Sequence, residues 1–218
     1  MKTQKFVTTA MLLAVGTLLS LIPIIQLPFG GSVTLVSMMP VILIAWIYGT
    51  KWGLFSAFIY SILQMLTGAG TVSAFFLPGD SQMALGAAIC VCILDYVLAY
   101  TMLGFGGIFR GRIKNEALAI MLGTLASLVL RFIMHLISGA IFFGAWAEWF
   151  FADSSGLSQI AMFKDFCNWV MNSFSGRSLA LLYSFIYNAA YMLPEIVITM
   201  AVAPAIHKIL KKSGVKGL

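Results

Sequence analysis

Two side chains that could carry acid–base or ion-pair chemistry lie within an apolar stretch that runs from Glu116 to Trp146. Arg131 and His135 are four residues apart, so a helix would place them on one face. An ionisable side chain inside a membrane span is costly, and by default it faces the bundle interior at a functional site. The pair indicates a polar site, with a simple link between two helices as the alternative.

Further polar side chains lie at similar depths in the neighbouring apolar stretches. Asp95 lies in the stretch before His135, and Tyr183, Tyr187 and Asn188 lie in the stretch after it. At a rise of about 1.5 Å per residue, all of these groups fall in the outer half of a membrane, on three consecutive helices. They predict one site that a ligand enters from the outer face.

Two charged residues lie deeper in the same helices and at matching depth. Arg131 and Glu195 are placed to form a buried ion pair between the fifth and sixth helices. If they neutralise each other, Asp95 has no cationic partner within the protein. An unpaired carboxylate beside aromatic rings suits a cation from outside. The pattern therefore favours a small cationic or amphiphilic ligand.

The chain offers few of the patterns that indicate other kinds of chemistry. Cys90, Cys92 and Cys167 do not have the spacing of metal ligands, and neither HExxH, a nucleophile elbow nor a Walker A motif occurs. We predict no catalytic residues, no metal and no cofactor, so transport would draw on a partner or a gradient. Two rivals remain: a membrane-embedded enzyme that uses Asp95 and His135 as acid and base, and a purely structural subunit.

The composition decides which elements must position these residues. Of 218 residues, 61% are hydrophobic and 9% are charged, and the mean hydropathy is +1.00. This composition predicts an all-α integral membrane protein, with one six-helix domain over residues 1–218. The net charge of +6 comes from short basic clusters between apolar runs, which indicates membrane orientation and no nucleic-acid partner.

Six apolar segments are predicted to be the transmembrane helices, and they cover residues 6–25, 33–48, 52–67, 83–109, 116–146 and 179–210. Residues 68–82 hold three glycines and a proline, and they predict a loop. Ten of the thirteen basic residues lie at the N-terminus, at Lys51, between Arg110 and Lys114, or in the C-terminal tail. Both termini are therefore predicted to be cytoplasmic.

The outer connection between the fifth and sixth helices is unusually long, from residue 147 to residue 177. It is too polar at its start, and its apolar runs are too short, for a seventh span. Residues 160–174 have apolar side chains at near-helical spacing, which predicts an amphipathic helix on the outer surface. Such a helix would be either a lid over the site or a surface element without a role in it.

Several motifs, taken together and in order, resemble one family of membrane proteins. The chain resembles the substrate-binding S components of energy-coupling factor (ECF) vitamin transporters, above all the thiamine-specific ones. The stretches that carry the resemblance are Ser20-Leu-Ile-Pro23, Gly30-Gly-Ser-Val-Thr34, Leu94-Asp95-Tyr96, Leu103-Gly-Phe-Gly-Gly107, Arg131-Phe-Ile-Met-His135-Leu-Ile-Ser-Gly139 and Tyr183-Ser-Phe-Ile-Tyr187-Asn188.

The resemblance implies which residues contact the ligand. By position, Asp95, Tyr96, His135, Tyr183 and Asn188 would contact thiamine. Asp95 stands where Glu is usual, and Phe143 stands where some members have a Trp that stacks on the pyrimidine. The resemblance therefore implies that either Phe143 or Trp146 provides the stacking ring.

The resemblance also implies a location and partners. The protein would lie in the bacterial plasma membrane as a multi-pass protein and would capture thiamine at the outer face. Uptake would require a transmembrane coupling subunit and two cytoplasmic ATPases. Small residues on the first helix, here Ala10 and Ala14, would form the coupling face. Another vitamin, or a precursor such as hydroxymethylpyrimidine, is the alternative ligand.

Overall fold

The computed structural model describes residues 2–27, 31–152 and 156–214. Most of these residues are helical. In chain order the helices are α1 (Lys2–Ser20), α2 (Met39–Tyr48), α3 (Thr50–Thr67), α4 (Ala69–Ala74), α5 (Leu85–Gly107), α6 (Glu116–Phe142), α7 (Ala147–Phe151), α8 (Lys164–Ser173) and α9 (Gly176–Lys212). Short 3₁₀ turns cover Gly144–Trp146, Gly156–Gln159 and Ala161–Phe163.

A β-hairpin follows α1 and corrects the all-α prediction. Strand β1 (Pro23–Gln26) pairs antiparallel with β2 (Ser32–Thr34), where the sequence predicted helix up to residue 25 and again from residue 33. Pro23 lacks a backbone N–H and disfavours helical geometry in the residue before it, so α1 ends at Ser20. The residues between the strands, Pro28 to Gly30, lie outside the described part of the chain.

The shortest of the strongly apolar helices lies at the centre of the protein. Helix α2 begins at Met39, six residues later than predicted, and every residue from Met39 to Ile47 is buried. A helix that is apolar on all sides is stable only when neighbours cover it on all sides. Here α1, α3, α6 and the end of α5 pack around it and form the main core.

Three of the described helices, α5, α6 and α9, are long and apolar enough to cross a membrane. Asn115 caps the start of α6, since its side-chain oxygen accepts the N–H of Leu118 at 3.1 Å. A capping box between Ser175 and Ser178 starts α9, which then continues through two prolines, as the predicted range 179–210 required. Helices α6 and α9 pack along each other.

One connecting segment is more helical than predicted, and a second contains the helix that was predicted for it. The prediction of a loop over residues 68–82 is wrong in its first half, where α4 forms (Ala69–Ala74). The amphipathic helix predicted over 160–174 is present as α8 (Lys164–Ser173). Asp153, one of the acidic residues of that outer segment, lies outside the described residues.

Candidate ligand-binding site

Side chains from the hairpin, α4, α5, α6 and α9 surround a cavity of about 130 Å³. One water molecule needs only ~10–15 Å³ by the same kind of measure, so there is room for a small organic ligand. The cavity is lined by Gly31, Ser32, Thr71, Phe75, Asp95, Tyr96, Tyr100, Arg131, His135, Gly139, Phe143, Tyr183, Ser184, Tyr187, Asn188 and Tyr191.

The structure brings most of the predicted ligand-binding residues to this cavity. The predicted residues that line it are Asp95, Tyr96, His135, Phe143, Tyr183, Tyr187 and Asn188. Trp146 does not line it. The Trp146 ring lies in the 3₁₀ turn after α6 and packs edge-on against Trp149, with 6.1 Å between ring centroids. Phe143 is therefore the ring that α6 offers to a ligand.

A change of helical winding places the acidic residue. Helix α5 is wound as a π-helix over Cys92–Leu98, which contains both Asp95 and Tyr96. π-Helical turns are rare and often occur at functional sites, because the extra residue redirects the side chains around it. The sequence analysis expected an ordinary helix here, so this distortion at Asp95 is a finding of the structure.

Asp95, His135 and Arg131 form a hydrogen-bonded chain across the site. One Asp95 carboxylate oxygen lies 2.9 Å from His135 Nδ1, and Arg131 Nε lies 3.2 Å from His135 Nε2. A guanidinium can only donate, so Nε2 accepts and the imidazole proton lies on Nδ1, where it is donated to Asp95. His135 is thus neutral and separates a carboxylate from a guanidinium.

The second oxygen of Asp95 is also occupied. It accepts the Ser138 hydroxyl at 2.7 Å. Asp95, which was predicted to have no cationic partner in the protein, therefore has two hydrogen-bonding partners, His135 and Ser138. Both donors are neutral, however, and they leave the negative charge of Asp95 at the wall of the cavity uncompensated by direct contact.

The predicted ion pair between Arg131 and Glu195 is wrong. None of the salt bridges among the described residues joins them. Glu195 instead accepts the backbone N–H of Thr34 at 2.8 Å and its hydroxyl at 2.7 Å. The guanidinium of Arg131 lies over the ring of Tyr100, 4.1 Å from its centroid, and donates to the sulfur of Met38. The hairpin, which was not predicted, supplies the donors that Glu195 binds.

A row of tyrosines on α9 forms the aromatic wall of the cavity. Tyr183, Tyr187 and Tyr191 follow at intervals of four residues, and their ring centroids are 5.9 and 6.2 Å apart. The sequence analysis named the first two and missed Tyr191, although the same spacing identifies it. Tyr100 was also missed, although it lies four residues after Tyr96 on α5 and the same spacing identifies it.

The side chain of Asn188 is engaged mainly within the protein. Its amide nitrogen donates to the backbone oxygen of Ser184 at 2.8 Å, and its oxygen accepts the Tyr191 hydroxyl at 2.7 Å. Helices α6 and α9 touch beside it: a Cβ added to Gly139 would lie 2.2 Å from the Ser184 hydroxyl oxygen. Asn188 thus fixes the junction of two helices and presents only its remaining acceptor capacity to the cavity.

The hairpin covers one side of the cavity through a close contact. Gly31 lies against the ring of Tyr191, and a Cβ added to Gly31 would be 2.7 Å from Tyr191 Cδ1. Only a glycine allows the backbone to approach the ring this closely. Thr71 and Phe75 cover a further side from α4 and the residue after it, a region predicted to be a loop and so not considered for the site.

Neither of the two alanines predicted to form a coupling face lines the cavity. Ala10 and Ala14 are both exposed on α1. Their neighbours Val7, Met11 and Leu18 are exposed as well, so one side of α1 is apolar and uncovered in the single chain.

Comparison with known proteins identifies the family. The family model described as "Thiamine transporter protein (Thia_YuaJ)" matches residues 6–149, which include most of α1, all of α2 to α6 and the Asp95–His135 pair. The chain belongs to the thiamine transporter protein family. It is 26% identical over 205 residues to the thiamine transporter ThiT of Bacillus subtilis (strain 168), covering 89% of this chain and 85% of that one.

The fold is also that of a solved family structure. ThiT from Listeria monocytogenes superimposes with a TM-score of 0.60 at 22% identity, covering 97% of this chain and 95% of that one. The family consists of transporters, so the prediction of a transport protein over a membrane enzyme is confirmed. Family and membrane-length helices together confirm a multi-pass protein of the bacterial plasma membrane.

Proposed function

We propose that this member of the thiamine transporter family is a high-affinity S component that binds thiamine in the cavity between α5, α6 and α9. The observation that carries the proposal is the Asp95 carboxylate, held at the cavity wall by two neutral donors beside a row of tyrosine rings. The family membership supports thiamine as the substrate.

The chemistry of thiamine fits the two kinds of side chain that line the cavity. Its thiazolium ring is a permanent cation, which a carboxylate and the electron-rich faces of tyrosine rings both attract. Asp95 supplies the carboxylate, and Tyr183 and Tyr187 supply the faces. The aminopyrimidine is flat and polar at its edges, and Phe143 and Tyr96 offer surfaces on which it can stack.

The charge arrangement around the cavity supports a cationic ligand despite the presence of Arg131. Its guanidinium is directed at Tyr100, Met38 and His135 and is thereby occupied by contacts within the protein. Asp95, by contrast, meets only neutral donors. Within the protein, the neutral His135 separates the positive charge of Arg131 from Asp95. A cationic ligand that binds next to Asp95 would supply the positive charge that is missing there.

Six spans with both termini in the cytoplasm are part of the proposal. Helices α5, α6 and α9 have the length and hydropathy of membrane spans. Helices α1 and α3 would provide two more, and the short α2 together with the strand before it would provide the sixth. Lys211 and Lys212 follow the last apolar turn of α9, and Arg110 and Arg112 follow α5. These positions meet the positive-inside rule if the cavity opens to the outer face.

The partners follow from the class of transporter. An S component works with a transmembrane coupling subunit and two cytoplasmic ATPases, and the exposed face of α1 around Ala10 and Ala14 is the proposed contact with that subunit. Small side chains on an exposed face allow another helix to approach closely in a membrane.

The experiment that tests the function is a calorimetric titration of the purified protein with thiamine and, separately, with hydroxymethylpyrimidine. We expect tight binding of thiamine and weak binding of the pyrimidine, because only thiamine carries the cation that Asp95 attracts. Equal or tighter binding of hydroxymethylpyrimidine would make the protein a precursor transporter. The absence of binding for both would contradict an S component of this specificity.

A further inference from the structure

Helix α8 lies beyond the part of the chain that matches the family model, which ends at residue 149. One of its faces packs inward: Cys167 and Val170 are buried against a cluster that contains Phe151, Leu179 and Tyr183. Tyr183 also lines the cavity. The helix is therefore a fixed part of the fold, held against the aromatic wall of the site.

A second face of α8 is apolar but exposed. Phe166 is 37% and Trp169 is 55% exposed, and their rings lie 6.0 Å apart, so they form one patch. Met162, in the turn before the helix, is 80% exposed. Large apolar side chains that cluster at a surface mark a site of contact with a partner or a membrane.

The third face of α8 is polar, and the three faces follow in a definite order. At about 100° per residue, the patch of Phe166 and Trp169 lies about a quarter turn from the buried face. Asp165, Asn168 and Asn172 lie roughly opposite the buried face. This arrangement suits a helix that lies on the protein at the edge of a bilayer. Its buried face then contacts the protein, the apolar patch faces lipid, and the polar face is in water.

The patch adjoins the start of a helix that is long and apolar enough to cross a membrane. The Trp169 ring packs edge-on against Phe174, with 5.5 Å between centroids, and Phe174 stands two residues before the start of the membrane-length helix α9. The first turns of α9 expose Leu181 and Phe185. The patch thus lies beside the first turns of α9, and tryptophan is enriched near the ends of membrane spans.

We propose that α8 is an interfacial helix that lies at the headgroup level of the bilayer, with Phe166 and Trp169 inserted toward the lipid acyl chains. The occupant of the patch is the lipid around α9 itself. The helix thereby ties the aromatic wall of the cavity, through Cys167 and Val170, to the membrane surface.

The test uses two neighbouring positions as a matched pair. Trp169→Cys and Asn168→Cys, each in a protein whose native cysteines are replaced by alanine, carry a nitroxide label in vesicles of phosphatidylethanolamine and phosphatidylglycerol. We expect the label at 169 to collide severalfold more often with oxygen, which concentrates in lipid, than with a water-soluble nickel complex. The label at 168 should show the opposite preference.

Three results would overturn the proposal. The first is a label at 169 that is as accessible to the nickel complex as the label at 168, which would place the patch in water. The second is dipolar broadening between labels at 169, which would make a second copy of the chain the occupant. An independent measurement avoids cysteines: lipids with brominated acyl chains should quench the parent protein more than Trp169→Phe. Equal quenching would also contradict the proposal.

Discussion

The chemical role of each residue in this site depends on the hydrogen-bonding partners that the fold gives it. Sequence position suggested that Arg131 and Glu195 neutralise each other, yet Glu195 binds Thr34 and Arg131 binds His135. The consequence is a chemical one. His135 is fixed as a neutral donor to Asp95, and the carboxylate keeps its charge for the cavity.

The bond between Glu195 and Thr34 makes a prediction about stability. A hydrogen bond to a charged group contributes about 1.5–3 kcal/mol, so Thr34→Val should lower the free energy of unfolding by an amount of that order. Glu195→Ala should cost more, because it removes both bonds that Thr34 donates. Thermal unfolding of the purified variants in detergent measures both losses.

The double variants distinguish this arrangement from the ion pair. The losses for Thr34→Val and Glu195→Ala should be clearly less than additive when combined, since the two residues share one interaction. Arg131→Met combined with Glu195→Ala should show clearly weaker coupling, because no salt bridge joins these two residues. Strong coupling between Arg131 and Glu195, with none between Thr34 and Glu195, would show that the ion pair exists after all.

At the scale of elements, the hairpin and the π-helical part of α5 shape the cavity. The hairpin contributes Gly31 and Ser32 to the lining and is bound to α9 through Thr34 and Glu195. The π-helical segment contributes Asp95 and Tyr96. Both elements are local departures from regular helix, and both lie beside the site.

The contact of Gly31 with Tyr191 makes a prediction about the hairpin. Gly31→Ala introduces a Cβ 2.7 Å from the Tyr191 ring, so the hairpin must move away from α9, and thiamine should bind at least severalfold more weakly. Gly86→Ala is the matched control, because no atom lies within 4 Å of its added Cβ. Titration with thiamine compares the two; equal affinities would mean that the hairpin does not cover the bound ligand.

Much of the architecture could be predicted from the sequence, because long apolar segments leave few alternatives to a helix. The start of α6 at Glu116 and the continuous α9 were both predicted to within three residues. Asp95, His135 and Asn188 could be placed together from the sequence because polar side chains in apolar helices are rare. Tyr96 and Phe143 followed only from the family resemblance. Family membership then confirmed the class of protein.

The remaining features depend on contacts between distant parts of the chain. The hairpin pairs short strands whose apolar residues also fit a helix end, so its sequence alone does not distinguish the two. Nothing in the sequence around Asp95 distinguishes a π-helical turn from an α-helical one. The ion pair between Arg131 and Glu195 was wrongly predicted for the same reason, because the actual partner of Glu195 is Thr34, in the hairpin that was not predicted.

At the scale of the whole molecule, the proposed binding site and the proposed contact surfaces lie on different elements. The cavity lies between α5, α6 and α9, whereas the exposed alanines lie on α1 and the apolar patch of α8 lies at the other end of the chain. A change on α1 should therefore affect assembly with the coupling subunit and leave ligand binding intact.

Ala14→Trp tests this separation. The bulky ring on the exposed face of α1 should prevent close approach of another helix, so thiamine uptake by cells that contain the complete transporter should be lost while the purified chain still binds thiamine. Val197→Trp, on the exposed side of α9, is the control and should leave both intact. Parallel loss of uptake and binding in Ala14→Trp would mean that α1 is simply part of the core.

The central claim is that the Asp95 carboxylate attracts the cation of the ligand, and one titration tests it most directly. Asp95→Asn keeps the shape of the side chain and removes its charge. A close charge pair in a partly desolvated site contributes about 1.5–7 kcal/mol, so the Kd for thiamine should rise at least ~10-fold. Ser138→Ala, which removes one donor but keeps the charge, should have a smaller effect.

The same titration with the pyrimidine fragment completes the measurement, because that fragment lacks the quaternary nitrogen. Its affinity should be low for the parent protein and should change little in Asp95→Asn. A selective loss of thiamine affinity is the result that we predict. If Asp95→Asn binds thiamine as tightly as the parent protein, the carboxylate is not the partner of the cation, and the site is wrongly assigned.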